Sequence, residues 1–271
     1  MWAPLVIAVW ACALLLLQWR WPARPWRGPW WRRAVTNAAL AMLAVAVAAL
    51  LVKPVANWTL ATQPGAGGLL GLVQWHPVVE GVLGALLLDW TFYWWHRANH
   101  RVPLLWRFHA MHHADPDCGV STALRFHIGE LALSAAVRIA QIALIGIALD
   151  AYLIYESIFQ AAVLFHHANW RLGARLERVL QVVLVTPAIH GSHHSEQRHE
   201  GDANYGVVLS CWDRLHRSLS IANQSTVRIG LPGAPWSFLA SLILPIRRYG
   251  LSDGSSSDFT PGRQGARTPG E

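Results

Sequence analysis

Histidines at helical spacing are the sequence's main chemical resource. His109-Ala110-Met111-His112-His113 and His190-Gly191-Ser192-His193-His194 share one pattern, histidine at i, i+3 and i+4. His96-Arg97-Ala98-Asn99-His100 precedes them with histidine at i and i+4. Residues three and four apart lie on one face of a helix, so each box offers two or three imidazoles to one point in space. Imidazole nitrogen binds Zn, Cu, Fe and Ni. The eight histidines of these boxes are too many for one tetrahedral ion and suit two metals. By ligand type alone the metal stays open. A dizinc hydrolase would normally add carboxylates, and none lies within the boxes. A membrane dizinc hydrolase and a non-catalytic metal-binding membrane protein both remain as alternatives. The three cysteines, Cys12, Cys118 and Cys211, are scattered without a CxxC pair and are not read as ligands.

The elements that must carry these boxes read as membrane helices. Hydrophobic residues make up 54% of the 271-residue chain and charged residues only 14%, about half the share of soluble domains. Sixteen tryptophans suggest an interfacial belt. The formal net charge of +7 comes nearly all from arginine, as expected of topology determinants beside apolar spans. No basic motif with interleaved aromatics points to nucleic acid, and none is expected as a partner.

Residues 2–18 are apolar with no basic residue before them, unlike a secretory signal. They are read as a retained first span. Arg20, Arg24, Arg27, Arg32 and Arg33 follow, mixed with tryptophans, and mark a cytoplasmic flank. Residues 35–52 form a second span, 55–75 a loop, and 77–95 a third span, long enough for a hydrocarbon core of roughly 30 Å. Three crossings bring the chain to the cytoplasm at His96. Residues 131–149 and 151–167 are expected to form a helical hairpin with Asp150 at its tip, returning at His166 and His167. Arg138, Gln141, Glu156 and Gln160 within it either pair with one another or line a substrate channel. Residues 175–187 read as a short amphipathic surface helix, and Trp236–Ile246 as an interfacial stretch too short to span. The expectation is an all-α, multi-span membrane bundle with a cytoplasmic histidine-rich cap. It divides into N-terminal spans and loop (1–75), a catalytic domain (76–217), an interfacial segment (218–250) and a disordered tail (251–271).

The order HxxxH, HxxHH, His-Ala-Asn, HxxHH resembles the fatty acid hydroxylase and sterol desaturase superfamily of membrane di-iron enzymes. Further similar segments are Met111–Asp117, Thr122–His127, Phe165–Asn169, Asn204-Tyr205-Gly206 and Trp212–Leu215, so the resemblance spans roughly residues 77–217. It implies that His96, His100, His109, His112, His113, His190, His193 and His194 serve a metal pair. His167 of the His-Ala-Asn element is implied as a further ligand. His127 is a possible ligand, although Ile128 stands where the family has proline. His166, His199 and His216 are implied around the ligands; His76, on the far side of the third span, is read as interfacial. The resemblance also implies two iron ions, O₂ as co-substrate and a membrane lipid as substrate, hydroxylated or desaturated. It implies an external electron donor, a cytochrome or ferredoxin with its reductase, because the chain carries no haem, ferredoxin or dinucleotide motif. Asp89, Asp115, Glu130, Asn169, Glu196, Asp202 and Asn204 are candidates to orient imidazole N–H groups.

Overall fold

A computed structural model describes residues 2–27, 29–47, 67–233 and 237–246, with isolated positions between 49 and 62. The expected loop at 55–75 lies largely outside the described residues, and the expected tail at 251–271 wholly so. The described chain is helical: α1 (Ala3–Arg20), α2 (Trp30–Val47), α3 (Pro77–Arg101), α4 (Pro103–His113), α5 (Ile128–Ile145), α6 (Leu149–His167), α7 (Ala174–Leu180), α8 (Pro187–His193), α9 (Arg198–Gly201), α10 (Cys211–Leu215) and α11 (Phe238–Leu242). Among the described residues only isolated β-bridges occur, and no strand.

Local sequence sets these boundaries. His76 caps α3 by accepting from the Val78 N–H, and Pro77 supplies the fixed φ of a first helical position. Pro103 ends α3, because the residue before proline is driven out of the helical region and Val102 adopts φ −95°, ψ 115°. Pro103 then starts α4, so a single corner folds the first two histidine boxes against each other. Gly146 closes α5 in the left-handed conformation at φ +74°, where a Cβ would lie 1.7 Å from the Gly67 carbonyl oxygen. This turn makes α5 and α6 the expected hairpin.

α6 packs on α1, α3 and α8, while α3 packs on α4 and α5, and α2 packs on α5. The main core runs from Leu14 through Leu88 and Ile142 to Tyr155, Phe159 and Leu164. Two helices, α1 and α5, are long and apolar enough to cross a membrane. The other expected spans form helices but miss that test among the described residues. α2 opens with Arg32 and Arg33, α3 carries Glu80, Asp89, Arg97 and Arg101, and α6 carries Asp150 and Glu156. Large apolar side chains nevertheless face outward on all three of these helices, including Met42 on α2, Val82 on α3 and Ile154 on α6. The polar residues of the hairpin pair with one another. Arg138 donates to Gln141 at 3.1 Å and lies 3.8 Å from Glu156, which accepts from Gln160. The Arg138 guanidinium also sits over the rings of Phe92, Tyr155 and Phe159.

Asp89, buried in the middle of α3, fixes the loop that follows α9. Its carboxylate accepts from the backbone N–H groups of Val208 and Leu209 at 3.3 and 3.1 Å, from the Trp212 indole at 2.7 Å and from the Tyr155 hydroxyl at 3.4 Å. Asp213 holds the preceding turn through the N–H groups of Tyr205 and Gly206, each at 2.8 Å. Removing the Asp89 carboxylate strands several buried donors at once. Asp89→Ala is expected to destabilise the protein by about 3 kcal/mol or more and Asp89→Asn by less, measured by thermal unfolding in detergent.

Candidate metal centre

The histidines meet in two adjoining groups. His96, His100, His109, His113 and His193 form one, and His112, His167, His190 and His194 the other, with the ligand atoms of each group within 4.8 Å of one another. All nine rings are buried. The groups abut, since His113 stacks on His194 at a centroid distance of 4.3 Å. Each HxxHH box divides between them. On α4, His109 and His113 (i and i+4) face the five-histidine group and His112 (i+3) faces the other. On α8 the assignment reverses: His190 and His194 enter the four-histidine group and His193 the five-histidine group. The cause is helical. Neighbouring residues point about 100° apart, so the paired histidines at i+3 and i+4 cannot serve one ion. The expectation that each box aims at one point is corrected for the two HxxHH boxes, while His96 and His100 do enter one group.

Backbone carbonyls and one carboxylate fix the tautomers of five of the nine rings. A carbonyl oxygen only accepts, so an imidazole nitrogen facing it carries the proton. Nδ1 donates to the Tyr205 carbonyl from His96 (3.0 Å), to Ala203 from His193 (2.7 Å), to Arg125 from His112 (3.3 Å) and to Val163 from His167 (2.7 Å). His109 Nδ1 lies 2.8 Å from the Glu130 carboxylate. The Nε2 lone pairs therefore point inward. In the four-histidine group the Nε2 atoms of His112 and His167 stand 3.0 Å apart, His167 and His190 3.0 Å, and His190 and His194 3.1 Å. For His112 and His167 both facing nitrogens are unprotonated, so their contact is lone pair against lone pair and calls for a cation between them. In the other group, Nε2 of His109 and His193 and both nitrogens of His100 and His113 are buried without a hydrogen-bond partner. Convergent neutral imidazoles with oriented second nitrogens are the donor set of a transition-metal site.

Electrostatics agree. Burial, followed by the nearness of the other rings, holds His100, His112, His113, His190, His193 and His194 well below the ordinary value of 6.5. His96 is pushed down to about 3 by the same burial, then by His109. These rings stay neutral and keep their lone pairs at physiological pH.

The remaining candidates fall outside the two groups. His127 caps α5 by accepting from the Gly129 N–H, and its Nε2 lies 3.1 Å from the Leu242 carbonyl, so both nitrogens are engaged away from the centre. His166 packs on His190 at 3.9 Å between centroids and bonds the Val207 carbonyl. His216 accepts from the Trp90 indole and stacks on Tyr93, while His199 and His76 are exposed. Of the residues expected to orient the rings, Glu130 contacts His109, and Asp202 lies 3.6 Å from His100 Nδ1. Asn169 and Asn204 bond backbone instead, Asp115 binds Asn37 and Thr122, and Glu196 pairs with Arg228 at the surface. Sequence reading missed the carbonyls of residues 125, 163, 203, 205 and 207, since a backbone acceptor leaves no side-chain signature. It also missed Tyr205, whose buried ring packs on His96, His100 and His193 at 5.4–6.0 Å.

Arg24 and Gln18, from the N-terminal segment, close the centre from behind. The Arg24 guanidinium donates to the Cys118 carbonyl and to Gln224, and it lies so near Gly191 that a Cβ there would meet it at 2.5 Å. Gln18 accepts from the N–H groups of Val120 and Asn169 at 3.0 and 3.2 Å.

Residues 81–218, just over half of the chain, match the fatty acid hydroxylase family, and the chain belongs to that family. It is 32% identical over 184 residues to an ornithine lipid hydroxylase of Rhizobium tropici, covering 66% of this chain and 54% of the relative. It is 29% identical over 159 residues to the alkylglycerol monooxygenase of Homo sapiens, covering 56% of this chain and 32% of that protein. A very-long-chain aldehyde decarbonylase of Oryza sativa is 27% identical over 150 residues, covering 51% of this chain and 22% of its own length. The chain thus spans about half the length of the first of these relatives and a third or less of the other two. No solved structure matches it significantly.

Two predictions follow from the geometry. Loss of one ligand from the five-histidine group leaves a complete tetrahedral set, whereas loss from the other leaves three donors. Under competition with a chelator, His112→Ala is expected to release about one metal per chain where His113→Ala retains two; equal loss would refute the division. The metal-free protein should also weaken in acid. Below about 6.5 the unfolded chain gains protons that the buried rings refuse, so stability present above that pH is lost as pH falls toward about 3. Thermal unfolding of chelator-treated protein across that range measures it.

Proposed function

We propose that the chain is a membrane-bound, O₂-dependent di-iron oxidoreductase that hydroxylates or desaturates a C–H bond of a lipid. The observation that carries this reading is the pair of adjoining all-histidine groups with their lone pairs fixed inward. Imidazole alone would accept zinc, copper or nickel. The five-histidine group exceeds zinc's usual tetrahedron, and neither group includes a carboxylate for water activation. The similar proteins named as hydroxylase and monooxygenase favour iron.

His96, His100, His109, His113 and His193 would hold one iron, and His112, His167, His190 and His194 the other. His127 is left out of the ligand set. Bound iron would supply the oxidation of an unactivated C–H bond by O₂. For hydroxylation the balance is one O₂, two electrons and two protons per lipid, giving the alcohol and water. The chain's own groups keep the imidazoles neutral, orient them through Nδ1, and exclude water with the walls of α3, α5 and α6. The electrons come from a separate donor, a cytochrome or ferredoxin with its reductase.

The catalytic unit spans 76–217, within a bundle whose further spans are α2, α3 and the α5–α6 hairpin. The centre faces the cytoplasm. The support is that Arg24, in the arginine-rich flank after α1, bonds directly into the histidine cap. The positive-inside preference therefore places flank and cap on the same side, however many spans precede them.

Purified in detergent, the parent protein is expected to carry about two irons per chain, one per histidine group. Cells expressing it under ¹⁸O₂ should contain a labelled lipid absent from cells expressing His112→Ala. Stoichiometric zinc without iron, or no labelled or newly unsaturated lipid, would overturn the reading.

A further inference from the structure

Between the His166–Asn169 segment and α8, the chain from Arg171 to Val183 lies on the outside of the molecule. Arg175, Arg178, Val179, Val182 and Val183 follow helical spacing along one stripe and line a shallow cavity of about 600 Å³. The arginines mark one end of the stripe and the valines the other. Val179, Val182 and Val183 are 62%, 61% and 55% exposed. Glu177, the acidic residue of this helix, is turned away to the Thr186 hydroxyl. Among the described residues no carboxylate pairs with Arg175 or Arg178.

The height of this cavity is set by α1. The Arg171 N–H donates to the Trp21 carbonyl at 2.8 Å, and Pro22 bridges to Trp170. Trp21 follows the C-terminal end of α1, a helix suited to cross a bilayer. Trp19 and Trp21 are exposed there, and the Arg20 guanidinium lies over the Trp21 ring. Exposed tryptophan and arginine at the end of a span mark the headgroup level. α7 begins three residues beyond that bond to Trp21.

We propose that this cavity binds an anionic membrane phospholipid, with its phosphate between the Arg175 and Arg178 guanidiniums and its acyl chain along Val179, Val182 and Val183. Guanidinium donors match phosphate oxygens, and a polar-to-apolar stripe matches an amphiphile. An acidic protein would satisfy the arginines but leave the valines against water or polar surface. The lipid would sit one side chain from the metal-bearing α8, because Glu177 bonds the Thr186 that caps it. This inference rests on the membrane reading of α1 and not on the identity of the metal.

The test uses the full chain in detergent, titrated with phosphatidylglycerol and phosphatidylcholine of identical acyl chains, with bound lipid counted by native mass spectrometry. The parent is expected to prefer phosphatidylglycerol by about tenfold, given two arginines near an anionic headgroup. Arg175→Gln/Arg178→Gln should bring the two lipids to near parity, while Val182→Ser weakens both alike. An undiminished preference in the double variant overturns the proposal. So does displacement of phosphatidylglycerol by inorganic phosphate alone, which would assign a free-anion site. Loss of a dimer in the double variant would assign the groove to a second copy and likewise overturn it. Metal content measured on the same samples separates a failure here from a failure of the metal centre.

Discussion

Nine neutral imidazoles are forced to face one another in a dry interior, and the rest of the structure is arranged to hold them there. Eight of their nitrogens are buried without a hydrogen-bond partner. At about 1–3 kcal/mol for each such group, the strain rivals the roughly 5–15 kcal/mol that stabilises a whole domain. Protonation cannot relieve it, because burial and the neighbouring rings oppose a positive charge on most of these side chains. A bound cation relieves part of it, since each inward lone pair then meets positive charge. Metal binding and folding are accordingly coupled, and the scaffold must be stiff enough to keep the rings in place.

The stiffness comes from a single run of loop backbone. Residues 203, 205 and 207 present their carbonyls to His193, His96 and His166, two residues apart in the chain. Asn204 passes through the left-handed region at φ +59°, and the loop so shaped orients three rings on three different helices. That run is itself held by two buried carboxylates, Asp213 on the N–H groups of Tyr205 and Gly206, and Asp89 on those of Val208 and Leu209. Asp89 belongs to α3, the helix that carries His96 and His100. The first histidine box and the carbonyls that orient its ring are thereby tied to one rigid element.

The boxes were legible in the sequence because helical periodicity converts spacing into direction. The nine clustered histidines were reached through those boxes and the His-Ala-Asn element. Their division into five and four was not reached, since it depends on how α4 and α8 rotate against each other. His112 and His193 occupy the same place in their boxes yet enter opposite groups. His127 shows the opposite limit: a histidine before a helix reads as a ligand or as a cap, and only the fold places its nitrogens on Gly129 and Leu242. Helices α1 and α5 were legible as apolar runs, as was the hairpin. The turn after α5 depends on the close approach of Gly67 and Gly68 to Gly146, distant in sequence.

The N-terminal segment carries no motif of the family and lies outside the matched residues 81–218, yet it completes the centre. Gln18 at the end of α1 ties the start of the 120–124 turn to Asn169, two residues from His167. Asn169 in turn grips the Arg24 backbone on both sides, donating to its carbonyl and accepting from its N–H. Asn37 on α2 bridges Asp115 to Arg125, whose carbonyl orients His112. Each contact joins an element of the first 40 residues to a loop that follows a histidine box. Gly191, between His190 and Ser192 of the third box, leaves room for the Arg24 guanidinium that a side chain would exclude. The glycine inside the box and the arginine after α1 are therefore one fitted pair, and the family motif is only part of the structure that holds the histidines together.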